Sequence, residues 1–207
     1  MYRNFLNFDE DRCPEFNADF GAVVHLTKLY HKAVQIVEKN NLHNVPLDMI
    51  EVKREEQCDI SGDQVSKLVN ENRPMLPVRL IGFSKGCVVL NQIMFELKTF
   101  KEDPDVKQFL ENIVAIYWLD GGHTGRQNAY ITDYDILGDI VSLNKELFVH
   151  VTPYQVLDPN RPWIGIEERE FVLRLTHMKG KITEKRHFMS LRPSVKNHFN
   201  VIKQVKP

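Results

Sequence analysis

Residues 79–90 read Arg-Leu-Ile-Gly-Phe-Ser-Lys-Gly-Cys-Val-Val-Leu, the segment most informative about the structure. A short, apolar, β-branched strand is predicted over 78–83, directly after Pro77. Apolar residues at helical spacing then predict a buried helix over 85–100. The turn that joins the two carries a serine between two glycines. The pattern therefore predicts a strand that reverses directly into a helix, with the serine at the sharpest point of the turn.

Gly82, Ser84 and Gly86 match G-x-S-x-G, the pattern of a nucleophile elbow in α/β-hydrolases. Glycine lacks a Cβ, so we expect Gly82 and Gly86 to give the room that such a tight turn requires. The backbone N–H of Lys85, which follows the serine, is the expected oxyanion donor. The alternative interpretation is that Ser84 simply caps an ordinary helix N-terminus, for which serine is a favoured residue.

Composition excludes several other classes of protein. The chain has 207 residues, of which 43% are hydrophobic and 27% charged, and its net charge is −1. This predicts one globular domain, and the net charge gives no indication of binding to nucleic acid or to an anionic membrane surface. Cys13, Cys58 and Cys87 are an odd number at irregular spacing, which argues against a disulfide framework. The sequence shows no membrane span, no targeting segment, no metal-ligand spacing and no cofactor motif.

The remaining pattern predicts a single α/β domain with a mostly parallel sheet and flanking helices. Residues 1–77 form an irregular and helical lead-in, and 78–207 form the βα core. The lead-in is predicted to hold a helix over 19–39, capped by Asn17, and a short helix over 63–70. The core is predicted to hold strands at 78–83, 113–119, 147–152 and 181–188, and helices at 85–100, 133–144, 165–178 and from Asn197 onwards.

A nucleophilic serine needs a general base and an acid that orients it, and in this fold they follow in the order Ser, acid, His. Asp158, after the second strand that follows Ser84, is the expected acid, and Asp120 is the alternative. His198, after the last strand, is the expected base, and His187 is the alternative. The sequence thus predicts an α/β-hydrolase-like triad of Ser84, Asp158 and His198.

Each of these residues has a simpler interpretation. Asp158 precedes Pro159, and Asp-Pro is a common start of a turn. His198 could lie on an exposed helix start, and Asp120 suits the tight turn at Gly121. His123 either lines the same cleft or is a solvated loop residue.

Several blocks of the sequence resemble the chromosome 2 open reading frame 69 family, which is metazoan and mitochondrial and has an α/β-hydrolase-like fold. The blocks lie at 82–92, 117–123, 150–156, 161–165 and 197–199, within a resemblance that covers most of 14–206. The resemblance implies a mitochondrial location and a serine hydrolase site at Ser84. It implies no particular substrate.

Members of that family are longer at the N-terminus than this chain. The additional part is expected to hold earlier strands and a His-Gly-type loop that gives a second oxyanion donor. We therefore expect the chain to be a shortened isoform, a partial gene model or a fragment, with strand 78–83 exposed at the sheet edge. Low stability and impaired activity are expected to follow, because an open apolar edge favours aggregation and a lost oxyanion donor slows catalysis.

Two functions remain open at this stage. One is a serine hydrolase that transfers the acyl group of an ester, thioester or amide, and the order Ser84, Asp158, His198 favours it. The other is a non-catalytic interaction protein that keeps the fold and binds a protein partner. The charged Lys85 beside the oxyanion position and the absent donor loop favour that second function.

Overall fold

The computed structural model describes residues 5–39, 76–122 and 125–205. Its centre is a four-stranded parallel sheet, and a short antiparallel hairpin precedes it. The hairpin consists of β1 (Asn7–Phe8) and β2 (Pro14–Glu15). The sheet consists of β3 (Val78–Phe83), β4 (Ile113–Leu119), β5 (Glu146–Val151) and β6 (Ile182–Arg186), which are neighbours in that order. The predicted α/β class is confirmed, whereas the hairpin lies where an irregular segment was expected.

Helices connect the strands and flank the sheet. They are α1 (Ala22–Lys39), α2 (Gly86–Phe95), α3 (Leu97–Phe100), α4 (Pro104–Asn112), α5 (Tyr134–Ser142), α6 (Pro153–Val156), α7 (Pro162–His177) and α8 (Val195–Asn200), and a 3₁₀ turn at Val201–Gln204 follows. Helix α4 was not predicted, although Asp103 caps it by accepting from Asp105 N and Val106 N, just before Pro104. The predicted helix at 63–70 lies outside the described residues.

Strand β4 alternates its side chains between two apolar clusters, which is why the sheet is covered on both faces. Ile116 and Trp118 face the larger cluster, where the Trp118 ring packs 5.1 Å from that of Phe171 in α7. Tyr117 and Leu119 face a smaller cluster closed by Val201 of the 3₁₀ turn. The C-terminal segment is thereby held against the sheet, and this contact positions α8 beside the ends of β3 and β4.

The N-terminus of α1 is capped by a distant carboxylate and not by Asn17, as the sequence had predicted. Glu96 is fully buried, and its two oxygens accept from Ala22 N at 2.9 Å and Val23 N at 2.8 Å. Gln92 Nε2 donates to the same carboxylate at 2.6 Å. Asn17 instead accepts from Asp19 N, in a local turn outside the helix. Glu96 therefore joins α1 to the end of α2.

Strand β3 lies at one edge of the sheet and pairs only with β4 among the described residues. Its Ile81 side chain is 52% exposed. No helix in the described part of the chain has the length and apolar character that crossing a membrane would require. The organisation of all 207 residues into a single domain stays a prediction.

Candidate active site

Ser84 lies at the turn between β3 and α2, in a backbone conformation that L-residues seldom adopt. Its φ is +55°, in the left-handed region, which carries a conformational cost for a non-glycine residue. Hydrogen bonds on both sides impose this geometry: Ser84 N donates to Leu119 O at 2.8 Å, and Cys87 N donates to Ser84 O at 3.1 Å. The turn therefore presents the half-buried Ser84 side chain above the C-terminal edge of the sheet.

Only one of the two flanking glycines is required by the packing of the described residues. A Cβ at Gly82 would come within 3.0 Å of Cys87 Cα and of Gly86 O, which are backbone atoms of the turn itself. A Cβ at Gly86 would meet nothing within 4 Å among the described residues. The steric reason predicted for both glycines therefore holds for Gly82 and is wrong for Gly86.

Ser84, His198 and Asp120 form a continuous chain of hydrogen bonds. His198 Nε2 lies 2.9 Å from Ser84 Oγ, and His198 Nδ1 lies 2.8 Å from Asp120 Oδ2. The Asp120 carboxylate can only accept, so Nδ1 carries the proton and Nε2 is left to accept from the serine hydroxyl. His198 and Asp120 are both buried, which keeps water from competing for these bonds.

Asp120 follows the last residue of β4 and is held rigidly by the start of α6. Its φ is +47°, which aspartate tolerates better than most residues. Thr152 N donates to Oδ1 at 2.7 Å, and Thr152 Oγ1 donates to Oδ2 at 2.6 Å. The parallel register of β4 and β5 pairs Leu119 with His150, and it thereby brings Asp120 and Thr152 to the same edge of the sheet. Thr152 was not predicted as a site residue; it is the last residue of the predicted strand 147–152, whereas the observed strand ends at Val151.

The structure places Asp158 away from the imidazole of His198, so the acid expected first does not contact the base. Its carboxylate instead accepts from Arg161 Nε at 2.8 Å and from Asn160 N at 2.9 Å. The hydrogen bond from Arg161 is the main reason that the pKa of Asp158 lies below its usual value. The alternative acid, Asp120, is the carboxylate that the structure brings to His198.

His187, the alternative base, also lies apart from Ser84. Its backbone N–H donates to Val151 O, and its Nε2 lies 3.3 Å from Nδ1 of the buried His150. Burial is the largest cause that lowers the pKa of both imidazoles, that of His150 to about 4. The lowered pKa values favour the neutral form of both rings, and the pair packs where β5 and β6 end.

Aromatic rings hold the imidazole of His198 in place. The rings of Phe83 and Tyr154 lie 4.7 Å and 5.1 Å from it, centroid to centroid, and Phe199 packs at 5.4 Å. Tyr154 belongs to α6, the same helix that Thr152 caps. The start of this short helix therefore contacts Asp120 through Thr152 and His198 through Tyr154.

The Lys85 backbone N–H completes the constellation. Lys85 precedes the first residue of α2, and within the described part of the chain no acceptor is bonded to this N–H. A backbone N–H without an acceptor, directly after a serine, can donate to an anionic oxygen of a ligand. No group of three or more His, Cys, Asp or Glu side chains among the described residues could hold a metal ion. His123 lies outside the described residues.

The described residues thus define a parallel α/β protein with serine, histidine and aspartate hydrogen-bonded at the C-terminal edge of its sheet. The chain belongs to the C2orf69 family, whose sequence profile matches residues 48–180, and this confirms the resemblance to the chromosome 2 open reading frame 69 family. No solved structure matches the chain.

Three curated relatives cover nearly the whole chain. Over 203 residues it is 36% identical to the protein named "Mitochondrial protein C2orf69 homolog" of Danio rerio, spanning 98% of this chain and 54% of that relative. It is 36% identical to "Mitochondrial protein C2orf69" of Homo sapiens, spanning 97% of this chain and 57% of the relative. The Mus musculus homologue is 35% identical over 97% of this chain and 60% of its own length. The chain therefore spans a little over half of the relatives that it matches.

Proposed function

We propose that this chain is an α/β-hydrolase-like serine hydrolase with Ser84 as nucleophile, His198 as general base and Asp120 as the acid that orients it. The observation that carries the proposal is the unbroken path from Ser84 Oγ through His198 to Asp120, with spacings of 2.9 Å and 2.8 Å. A serine hydroxyl is a poor nucleophile unless a base takes its proton, and this path supplies that base. The positive φ of Ser84 and the tight packing of Gly82 support assigning the turn as a nucleophile elbow.

The proposed first step is acylation of the serine. Ser84 Oγ attacks the carbonyl carbon of an ester, thioester or amide, and its proton passes to His198 Nε2 as the new C–O bond forms. The Lys85 N–H stabilises the oxyanion of the tetrahedral intermediate. The bond to the leaving group then breaks, and that group departs with the proton from His198, leaving an acyl-serine.

In the second step, water hydrolyses the acyl-serine. His198 Nε2 takes a proton from water, whose oxygen attacks the acyl carbon. Collapse of the intermediate breaks the bond to Ser84 Oγ, which regains its proton from His198, and a carboxylic acid is released. Asp120 stays ionised throughout and stabilises the imidazolium that forms twice in each cycle.

We also propose a mitochondrial location for this chain. The curated relatives are named mitochondrial proteins, and their identity of 35–36% extends along nearly the whole chain. Fluorescence microscopy of the tagged chain together with a mitochondrial marker tests the proposed location, independently of any activity.

Covalent labelling with a fluorophosphonate probe tests the nucleophile. An activated Ser84 attacks phosphorus, forms an Oγ–P bond and expels fluoride, so the wild-type chain should label and Ser84→Ala should not. Ser190→Ala is the matched control, because Ser190 is exposed. Equal labelling of wild type and Ser84→Ala would contradict the proposal, and so would a folded wild-type chain that never labels.

Thr152 supplies a separate prediction about positioning. In Thr152→Val the hydroxyl that donates to Asp120 Oδ2 is lost, so we expect the labelling rate to fall about tenfold, the worth of one hydrogen bond to a charged group. Thr152→Ser keeps that hydroxyl and should stay within about threefold of wild type, since the lost bond is restored.

The matched control for Thr152 is Thr176→Val, which removes an exposed threonine hydroxyl from α7 that bonds only to Val172 O in the described part of the chain. Urea unfolding of each variant shows whether the fold is retained. If Thr152→Val and Thr152→Ser slow labelling equally, the hydroxyl has no positioning role.

An interaction protein without catalysis is the second candidate function, and one surface favours it. The open edge of β3 lies beside an apolar groove lined by Leu26, Ile81, Val89 and Ile93, among others. Exposed strand edges and apolar grooves are surfaces on which proteins bind one another. A well-folded chain that never labels would favour this function.

A further inference from the structure

A cavity of about 550 Å³ reaches Lys85, the residue that follows Ser84. Its lining includes Lys85, the residue after the serine, and Gly122, two residues beyond Asp120. The cavity therefore lies near the C-terminal ends of β3 and β4. Ser84, Asp120 and His198 are not among the described residues that line it, so it lies to one side of their hydrogen bonds. A cavity of this size accommodates a small-molecule substrate.

The charged side chains that line this cavity are mostly cationic. Among the described residues they are Lys85, Arg12 and Arg161, against one carboxylate, that of Asp11. The whole chain has a net charge of −1, so the excess of positive charge is a local property of the cavity. A concave surface of one sign concentrates ligands of the opposite sign.

Two of these cations have no compensating partner among the described residues. Arg161 is neutralised by Asp158 at 2.8 Å, and the carboxylate of Asp11 lies 3.8 Å from Arg126. Lys85 and Arg12 form no ion pair within the described part of the chain, and the Lys85 ammonium lies 5.3 Å from the centroid of the Phe8 ring. Their positive charge is therefore available to a ligand.

We propose that this cavity binds an anionic group, carried by the acyl substrate that Ser84 attacks, through the side chains of Lys85 and Arg12. The inference rests on the proposed hydrolase function for the reaction, and on the lining of the cavity for the substrate class. Hydrogen bonds between ionised partners are about twice as strong as neutral ones, so a substrate with a carboxylate or phosphate should be favoured about tenfold.

The turnover test compares matched esters. 4-Nitrophenyl valerate is neutral, mono-4-nitrophenyl glutarate carries a carboxylate on the acyl part, and 3-carboxy-4-nitrophenyl valerate carries it on the leaving group. For the wild-type chain we expect kcat/KM to be about tenfold higher for one anionic ester than for the neutral one. The anionic ester with the higher kcat/KM shows whether the acyl part or the leaving group enters the cavity. A ratio near one in both arms overturns the inference and leaves the hydrolase function intact.

Removing the positive charges of the cavity tests whether they cause the preference for anionic esters. In the double variant Arg12→Gln with Lys85→Gln, the ratio of anionic to neutral kcat/KM should fall to about one, because the attracting charges are gone. Lys98→Gln removes an exposed positive charge that neither lines the cavity nor pairs with a carboxylate in the described part of the chain, so the ratio should persist there. A ratio that survives the double variant overturns the assignment to these residues.

Equilibrium binding separates this inference from catalysis. Ser84→Ala has no nucleophile, so equilibrium dialysis measures how tightly the same three esters bind whether or not the chain is a hydrolase. Tighter binding of an anionic ester, lost in the double charge variant, supports the cavity even if no ester is hydrolysed. Equal binding of all three esters overturns it, whatever the activity.

Discussion

Asp120→Asn should reduce the rate of fluorophosphonate labelling by a factor of about 10³–10⁴, the loss typical of a triad whose acid becomes an amide. Asparagine keeps the size of the side chain and tolerates the positive φ of this position. Its amide N–H₂ would, however, face His198 Nδ1, where the carboxylate now accepts. The imidazole would then carry its proton on Nε2, toward Ser84, and could no longer accept the serine proton.

Asp158→Asn is the matched control for this experiment. It makes the same chemical change at the other candidate acid, where it weakens the partly exposed ion pair with Arg161. Labelling by a neutral probe should therefore stay within about threefold of wild type, since such pairs contribute little. The two variants, compared at one pH with circular dichroism spectra confirming the fold, identify the acid. A larger loss in Asp158→Asn would contradict the role proposed for Asp120.

The strands and the tight turn that carries Ser84 could be predicted from sequence because their signals are local. Strands β3, β4 and β5 are short, largely apolar runs, whereas β6 is mostly polar, and the observed strands begin and end within two residues of the predicted ones. The strand, turn and helix around Ser84 are likewise contiguous in sequence. Helix α4 had an equally local signal at Asp103 and Pro104 and was missed because its apolar residues are few.

The choice of acid depended on contacts that no local pattern contains. His198 reaches Asp120 across 78 residues because Val201 packs the C-terminal segment against β4, beside the end of that strand. Counting strands favoured Asp158 but gave no information on where α8 docks. The hydrogen bond that Thr152 N donates to Asp120 Oδ1 likewise depends on the parallel register of β4 and β5. The pairing of β4 with β5 and the packing of α8 against the sheet decide which side chains meet. The spacing of residues along the sequence determines neither of them.

Glu96→Ala should lower the free energy of unfolding by about 3–5 kcal/mol, the cost of leaving several buried donors without partners. The carboxylate is fully buried and accepts from Ala22 N, Val23 N and Gln92 Nε2. It also places a negative charge at the N-terminus of α1, where the helix dipole favours it. For a chain of this length the loss corresponds to a decrease in Tm of about 10 °C.

Urea unfolding followed by circular dichroism measures this effect, with Glu102→Ala as the control. Glu102 is an exposed carboxylate beyond the end of α3, and its removal should change the free energy of unfolding by less than about 0.5 kcal/mol. Glu96→Gln should fall between the two, because its amide oxygen can still accept one N–H whereas its N–H₂ faces the other donor. If Glu96→Ala unfolds at the same urea concentration as wild type, the cap does not hold α1 against the core.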